Sequence, residues 1–253
     1  MSTAHPSAKA PPLCDVDDAS FWPWMSSPRI ASWPAPGSTP VVLPICGMAD
    51  WGIGHPLDAE EAVLMRILSE SCRRLGPEKA PLVVPPLRFA FGADPSCAFA
   101  VDQPTAHALI EEVSASVAAA GFRKIVLLNS SPWNEELCSA AARDLRVSRG
   151  LHLFHIHLSA LELDLHPSRS RSRGRFQTLA TFVLGQEPEE AVANPSPARW
   201  GQECVTPLAG PAATLAAAAS EGAEILSAAA GRLATLLGEI RDRAPLAAKL
   251  TPP

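Results

Sequence analysis

Several signatures are missing from this chain of 253 residues, and each missing signature removes a class of function. No phosphate-binding loop and no glycine fingerprint for dinucleotides occurs, so the sequence gives no indication of nucleotide binding. The Gly-x-Ser-x-Gly nucleophile elbow is missing as well. No apolar stretch reaches about 18 residues without polar breaks, and the amino terminus has no basic segment followed by an apolar run. We therefore expect a soluble, cytoplasmic protein that does not contact membranes.

An excess of positive charge is also lacking. The chain has 21 Lys and Arg residues against 26 Asp and Glu residues, a net charge of -5 that disfavours nucleic-acid binding. Its six cysteines form no Cys-x-x-Cys pair, and their sparse placement is typical of reduced thiols in a cytosol. One local basic run contains Arg169, Arg171, Arg173 and Arg175. We interpret this run as a solvated loop, with a contact to an anion or an acidic partner as the alternative.

Apolar runs alternate with amphipathic segments, and this alternation predicts an α/β fold. The predicted strands are Val41–Ile45, Pro81–Leu87, Lys124–Asn129, Leu151–Leu158 and Gln177–Leu184. The predicted helices are 58–75, Thr105–Ala120, 134–146 and 211–241, the last with a possible kink at Gly222 or Gly231. Such an order is typical of a mostly parallel sheet that is covered by helices on both faces. We assign residues 39–243 to one domain.

Local signals refine the ends of these elements. Asp58 and Glu61 have the spacing of a capping box for the first helix. Residues 1–38 are rich in Pro, Ser and Ala, and we expect a disordered start followed by an arm anchored by Trp22, Trp24 and Trp33. The arm packs either on its own domain or on a neighbouring subunit. Residues 244–253 are predicted to form a flexible tail.

Candidate functional residues follow the predicted strands, because chemistry in such sheets lies at the carboxyl ends of strands. His155 and His157 share one face of a strand, and with His55, His166 or Glu60 they suggest a mononuclear metal site. A Ser/His/Asp arrangement would use His55 and Asp50 with Ser130 or Ser131. Cys46 and Cys97 are weaker candidate nucleophiles, because nothing near them in the sequence lowers a thiol pKa. Each of these groups is also consistent with an ordinary structural role.

Five short motifs occur in an order that carries further information. They are Leu43-Pro44-Ile45 with Gly52, His55, Pro56 and Leu57; Pro85-Pro86-Leu87 with Gly92; Gly121-Phe122-Arg123-Lys124-Ile125-Val126 with Asn129 and Asn134; Gly174-Arg175-Phe176-Gln177-Thr178; and Gly210-Pro211 with Ala213-Thr214 and Glu221-Gly222. From about residue 40 to 240, this order resembles the creatininase (creatinine amidohydrolase) family. The resemblance implies a layered α/β/α domain and a tendency to form homo-oligomers.

The resemblance also implies two divalent metal ions that activate a water for attack on a cyclic or linear amide. The ligand motifs differ in this chain. Glu-x-His-Gly is replaced by Ala49-Asp50-Trp51-Gly52, Asn-Gly-His by Asn129-Ser130-Ser131, and Gly-Glu-x-Glu-Thr by Gly174-Arg175-Phe176-Gln177-Thr178. The residues expected in the pocket are Ala49, Trp51, Glu60, Ser131, Trp133, Arg175 and Gln177. Because bulky indoles and an arginine replace ligands, we expect the dinuclear centre and any other cofactor to be absent.

Three functions remain open at this point. The first is a non-catalytic subunit or scaffold, in a homo-oligomer or together with an active relative. The second is a zinc or manganese amidohydrolase with a rearranged site that includes Glu60, His155 and His157. The third is a binding protein for a small anionic ligand, with a pocket lined by Trp51, Trp133, Arg175 and Arg173.

Overall fold

A parallel sheet forms the centre of the computed structural model, which describes residues 20–91, 97–189 and 206–244. Within these ranges the strands are β1 (Pro40–Cys46), β2 (Leu82–Val83), β3 (Leu87–Arg88), β4 (Ala90–Phe91), β5 (Ala100–Val101), β6 (Lys124–Asn129) and β7 (His152–His157). The α-helices are α1 (Ser27–Ala31), α2 (Ala59–Leu75), α3 (Gln103–Ala119), α4 (Glu135–Arg149), α5 (Ser170–Leu184) and α6 (Leu215–Asp242). Short 3₁₀ turns cover Trp22–Trp24, Pro132–Asn134 and Leu158–Leu161.

The sheet has the strand order β2-β1-β6-β7, and β3 also pairs with β1. All of these pairs are parallel; Val41 lies opposite Ile125, and Val126 lies opposite Phe154. The strands β4 and β5 form a separate parallel pair. The predicted fold class, an α/β domain with a mostly parallel sheet between helices, is therefore confirmed.

Two apolar cores lie on the two faces of this sheet. Val42 and Val126 pack in one core with residues of α2, α5 and α6. Leu43 and Ile125 pack in the other core with residues of α3 and α4. Since successive side chains of a strand point to opposite faces, the continuous apolar runs of β1 and β6 supply both cores at once. None of the described helices is long and apolar enough to cross a bilayer.

The predicted strand Gln177–Leu184 is wrong, because these residues form the second half of helix α5. The β-branched and aromatic residues of this segment favoured a strand, but Phe176, Leu179 and Ala180 follow a helical spacing and are buried. Packing on its neighbours therefore overrides the local preference for a strand. The basic run, interpreted as a solvated loop, instead forms the first turns of α5, and Arg169 pairs with Asp164.

The capping box predicted at Asp58 and Glu61 is also wrong. Helix α2 begins after Asp58, but the Asp58 side chain accepts no capping hydrogen bond. Glu61 instead accepts two hydrogen bonds from Arg88, at 2.6 and 2.8 Å. The Glu61 side chain is only 3% exposed, so this paired geometry offsets the cost of burying its charge.

The amino-terminal arm packs on its own domain in its described part, from residue 20 onward. The rings of Trp22 and Phe122 lie 5.0 Å apart, and the Trp33 indole donates to the Thr39 hydroxyl at 3.1 Å. The expected disordered start and the tail after residue 244 lie outside the described residues. Cys46, Cys72, Cys97 and Cys138 are all buried.

Gly222 lets α6 approach α5 closely. A Cβ at this position would stand 2.4 Å from the Cβ of Phe182 and 3.2 Å from the carbonyl oxygen of Thr178. A glycine is therefore needed for the contact between two helices, which the sequence indicated only as a possible kink. The nearest atom to a Cβ on Gly238, in the same helix, is a Leu75 methyl group at 4.0 Å.

We expect Gly222→Ala to lower the free energy of unfolding by about 1–3 kcal/mol, because the added methyl group overpacks the contact with α5. Gly238→Ala is the matched control, and we expect it to raise stability by up to about 1 kcal/mol through helix propensity. Urea denaturation of both variants measures the two effects. Equal effects of the two substitutions would contradict the close approach at Gly222.

Lys124 holds the carboxyl end of α6 from the first position of β6. Its side chain is almost fully buried. The ammonium group donates to the carbonyl oxygens of Ile240, Arg241 and Arg243, at 3.0, 2.6 and 2.7 Å. A cation at this end of a helix also complements the helix dipole. The sequence showed only a lysine at the edge of an apolar run, so this contact was not predicted.

We expect Lys124→Met to lower the free energy of unfolding by about 2–4 kcal/mol, because three carbonyl groups lose a charged donor inside the protein. Arg123→Met, at the exposed neighbouring position, is the control and should leave stability nearly unchanged. Thermal denaturation followed by circular dichroism compares the variants. If both substitutions have the same small effect, the ammonium group does not hold α6.

Candidate functional site

A cluster of buried polar groups lies where β1, β6 and α2 meet. Glu60 comes from the first turn of α2, and Ser131 follows the carboxyl end of β6. Their exposures are 1% and 0%. Asn129 fixes the turn after β6, because its side chain donates to the Ser131 carbonyl at 2.7 Å and accepts from the Ser131 N–H at 3.2 Å. The first turn of α2 and the turn after β6 thus meet Gly47 at the carboxyl ends of β1 and β6.

The Glu60 carboxylate accepts a hydrogen bond of 2.7 Å from the indole N–H of Trp51. Burial raises the pKa of Glu60 to about 7, although the Trp51 indole, the Ser131 hydroxyl, the Gly47 amide and Ser130 act to lower it. Burial is the larger influence, since a carboxylate loses its hydration inside a protein. Glu60 therefore exchanges its proton near neutral pH.

Gly47 closes the space beside this carboxylate. A Cβ at residue 47 would stand 2.5 Å from both Glu60 Oε2 and Ser131 Oγ. Within the described residues, neither of these two oxygens has a hydrogen-bond partner of good geometry. The backbone therefore approaches the two buried side chains as closely as glycine alone permits.

Aromatic rings fill the rest of the site. The Trp51 ring lies 5.6 Å from the Trp133 ring in an edge-to-face arrangement and 4.5 Å from the Phe176 ring. Trp51 is only 3% exposed, and Trp133 packs against the core. Ala49 is also buried and forms an isolated bridge with Cys97. The volume at these positions is thus occupied by side chains of the chain itself.

Helix α5 ties down the loop that carries Trp51. Arg173 donates to the carbonyl oxygens of Trp51, Gly52 and Thr206, at 2.7, 3.1 and 2.6 Å. The side chain of Gln177 donates to the Ile53 carbonyl at 2.7 Å and accepts from the Ala213 N–H at 3.1 Å. Both side chains thus hold the backbone of neighbouring segments by hydrogen bonds. Arg173, which the resemblance placed outside the ligand positions, contacts the loop directly, whereas Arg175 is half-buried in the first turns of α5.

Among the described residues, the histidines considered as metal ligands do not form a group of three. The His155 and His157 rings lie 5.2 Å apart, as expected for two residues on one face of β7. His157 contacts Asn129 and Ser139, at 3.2 and 3.4 Å, and His55 contacts the Thr181 hydroxyl at 2.9 Å. Burial lowers the pKa of all three imidazoles. The remaining candidate, His166, is exposed and accepts from the Ser168 N–H.

The residues at this site do not fit a pair of divalent metal ions. Such a pair needs several His and carboxylate ligands, and Glu60 is the one carboxylate at the positions given by the resemblance. One oxygen of Glu60 already accepts the indole N–H. Among the described residues, no group of three or more His, Cys, Asp and Glu side chains is arranged to hold a metal ion.

The geometry does not support nucleophilic catalysis by a serine or a cysteine either. The Asp50 carboxylate accepts from the Gly52 N–H at 2.6 Å, which is a turn contact, and His55 is bonded to Thr181 instead of a serine. Burial raises the pKa of Cys46 well above its ordinary value, and the nearby Glu61 and Glu60 raise it further. A thiol in this environment stays protonated and is a poor nucleophile.

We expect the stability of the protein to depend on pH through Glu60. Its folded-state pKa of about 7 lies above the ordinary 4.5, so its contribution to stability is present below pH 4.5 and is lost as the pH rises through 7. Between pH 4 and pH 8, the free energy of unfolding of wild type should fall by about 3 kcal/mol relative to Glu60→Gln.

Urea denaturation at the two pH values measures this difference. Glu78→Gln changes an exposed carboxylate and should follow wild type at both pH values. A constant difference between wild type and Glu60→Gln would show that this carboxyl group titrates normally.

Comparison with known proteins places this geometry in a family. The creatininase family model, described as creatinine amidohydrolase, matches residues 24–181, which is more than half of the chain. The structure is similar to a crystal structure of creatinine amidohydrolase, with 16% identity, a TM-score of 0.65 and coverage of 90% of this chain and 100% of that one.

A second similar structure is a putative creatinine amidohydrolase from Bacteroides fragilis NCTC 9343, with 12% identity, a TM-score of 0.66 and coverage of 90% and 99%. A third is a structure titled "Creatininase Mn", with 15% identity, a TM-score of 0.62 and coverage of 88% and 99%. No curated protein sequence matches the chain. The match of the family model over more than half of its residues shows that this chain belongs to the creatininase family.

Proposed function

We propose that this creatininase-family protein functions without the two-metal centre of its relatives, as a non-catalytic subunit or scaffold. The hydrogen bond from the Trp51 indole to the buried Glu60 carboxylate carries this proposal. In a metal centre, a carboxylate at this position gives its lone pairs to a cation. Here an N–H group of the protein takes one of those lone pairs.

The surroundings of Glu60 also support a site without bound metal ions. A divalent ion favours the charged carboxylate, whereas burial favours protonation near neutral pH. Entry of an ion would require displacement of the Trp51 ring, which packs against Trp133 and Phe176. It would also require Arg173 to release the loop at Trp51 and Gly52. Several packed contacts therefore oppose an occupied centre.

The proposal extends to the assembly and location of the protein. A family member without catalytic metal retains its folded surface, and we propose that this surface serves in a homo-oligomer or in a complex with an active relative. Its cytoplasmic location stays a prediction from the sequence. Binding of a small anion at the site has weaker support, because the guanidinium of Arg173 is already bound to three carbonyl groups.

The second candidate is a metal-dependent amidohydrolase with a rearranged site. The closeness of the His155 and His157 rings favours it. Burial leaves both imidazoles with lowered pKa, and so in the neutral form that binds zinc. No described acidic group joins the two histidines in a set of metal ligands, so a carboxylate ligand would have to come from elsewhere in the chain. In addition, His157 is already hydrogen-bonded to Asn129 and Ser139.

Elemental mass spectrometry tests the proposal on protein purified without chelators and without a metal-binding tag. We expect far less than one zinc or manganese ion per chain, also after incubation with each ion. The physical reason is that the site offers one carboxylate where an ion needs three or four protein ligands. One tightly held ion per chain, lost in a Glu60→Ala or a His155→Ala/His157→Ala variant, would overturn the proposal.

A variant that restores ligands provides the matched positive control. Ala49→Glu, Trp51→His and Ser131→His together return the motif residues that the resemblance implies at these positions. We expect this triple variant to retain zinc where wild type does not, because three ligands then join Glu60. Circular dichroism confirms that the variant is folded, and equal zinc in both proteins would contradict the role assigned to these replacements.

A further inference from the structure

A groove of about 1030 Å³ lies along the outer edge of β7, and none of the residues around Glu60 lines it. Within the described ranges β7 is the last strand of the sheet, so one side of its backbone pairs with β6 and the other side faces outward. The last turns of α6 border the groove on one side, and Arg146 of α4 borders it on the other. An open strand edge thus lies between two flanking helices.

The backbone of β7 presents hydrogen-bonding groups to this groove. The His152 N–H donates to the Arg123 carbonyl, so His152, Phe154 and Ile156 direct their backbone groups toward β6. By alternation, Leu153 and His155 direct theirs outward. Arg146 donates to the Leu153 carbonyl at 2.5 Å. The backbone of His155 pairs with no neighbouring strand among the described residues, which leaves it in place to pair with an added strand.

The groove carries positive charge in a protein that is acidic as a whole. The chain has a formal net charge of -5. Four cationic and two acidic side chains line the groove, namely Lys79, Arg146, Arg241 and Arg243 with Glu239 and Asp242. Burial lowers the pKa of His155 in this groove, and His157, Arg146 and Arg143 lower it further. The local potential therefore attracts a negatively charged occupant.

Apolar side chains also line the groove. Phe154 and Leu236 are half-buried along the groove. An extended segment with alternating acidic and apolar side chains matches both features, because successive residues of a strand point to opposite sides.

We propose that this groove binds an acidic, extended segment of a partner protein, which adds to β7 as a further strand. A second copy of this chain fits less well. A two-fold contact between two such edges would place the same excess of cationic side chains against itself. The proposal does not depend on the state of the Glu60 site, since an active metalloenzyme can carry the same groove.

Fluorescence anisotropy with labelled model peptides tests the proposal on the full chain. The probe is a seven-residue peptide of alternating Glu and Val, and we expect it to bind with a Kd in the micromolar range. Two peptides serve as controls. One has Lys in place of Glu, and the other is methylated at alternate backbone nitrogens, which blocks strand pairing but keeps the charge. We expect each control to bind at least about tenfold more weakly, a loss of about 1.4 kcal/mol.

Protein variants locate the binding site. Arg241→Glu/Arg243→Glu reverses two charges of the groove, and we expect it to weaken binding of the Glu-Val peptide at least about tenfold. The control Arg73→Glu/Arg171→Glu reverses two exposed charges outside the groove and should leave binding nearly unchanged. The side chains of Arg241 and Arg243 can be changed because Lys124 holds only their backbone carbonyls.

Three outcomes would overturn the proposal. The first is absence of binding at millimolar peptide, and the second is equal binding of the Glu, Lys and methylated peptides. The third is a dimer of wild type in sedimentation velocity that the Arg241→Glu/Arg243→Glu variant cannot form, which would identify a second copy as the occupant. Metal content plays no part in this experiment, so its failure is separate from a failure of the proposed function.

Discussion

The central strands β1 and β6 are buried along their whole length, and this burial constrains the polar groups at both ends of the sheet. A buried polar group is costly unless another group satisfies it. At the amino end of β6, Lys124 is satisfied by the last carbonyl groups of α6. At the carboxyl end, Asn129 bonds to the turn at Ser131, and Glu60 accepts the Trp51 indole. The same constraint thus shapes a structural contact and the candidate site.

The candidate site combines the family fold with side chains that differ from the ligand motifs implied by the resemblance. The Trp51 ring, which bonds to the buried Glu60, packs against Trp133 and Phe176. Arg173 and Gln177 of α5 hold the loop backbone by hydrogen bonds to its carbonyl groups. Burial of these aromatic rings contributes to the stability of the fold.

Much of this architecture was predictable from the sequence, and the misses have physical reasons. The runs at Val41–Ile45 and Lys124–Asn129 are short, apolar and bounded, so their burial as strands was clear. The segment Gln177–Leu184 was misassigned because its β-branched residues hide a helical spacing that only packing on α6 reveals. The site positions were inferred from motif order, and they stay a prediction. Arg173 was expected near Trp51, but its bonds to the loop backbone were not predictable, and neither was the Lys124 contact, because each joins residues more than 100 positions apart.

The position of α6 has a consequence for how the protein is made. Its partners α2 and Lys124 lie early in the chain, yet Leu226 and Leu233 of α6 complete the core that α2 begins. A ribosome adds about 5–20 residues each second, so the first half of this chain waits for several seconds with an apolar face uncovered. Nascent chains of this protein should therefore depend on chaperones until residues 215–242 have emerged.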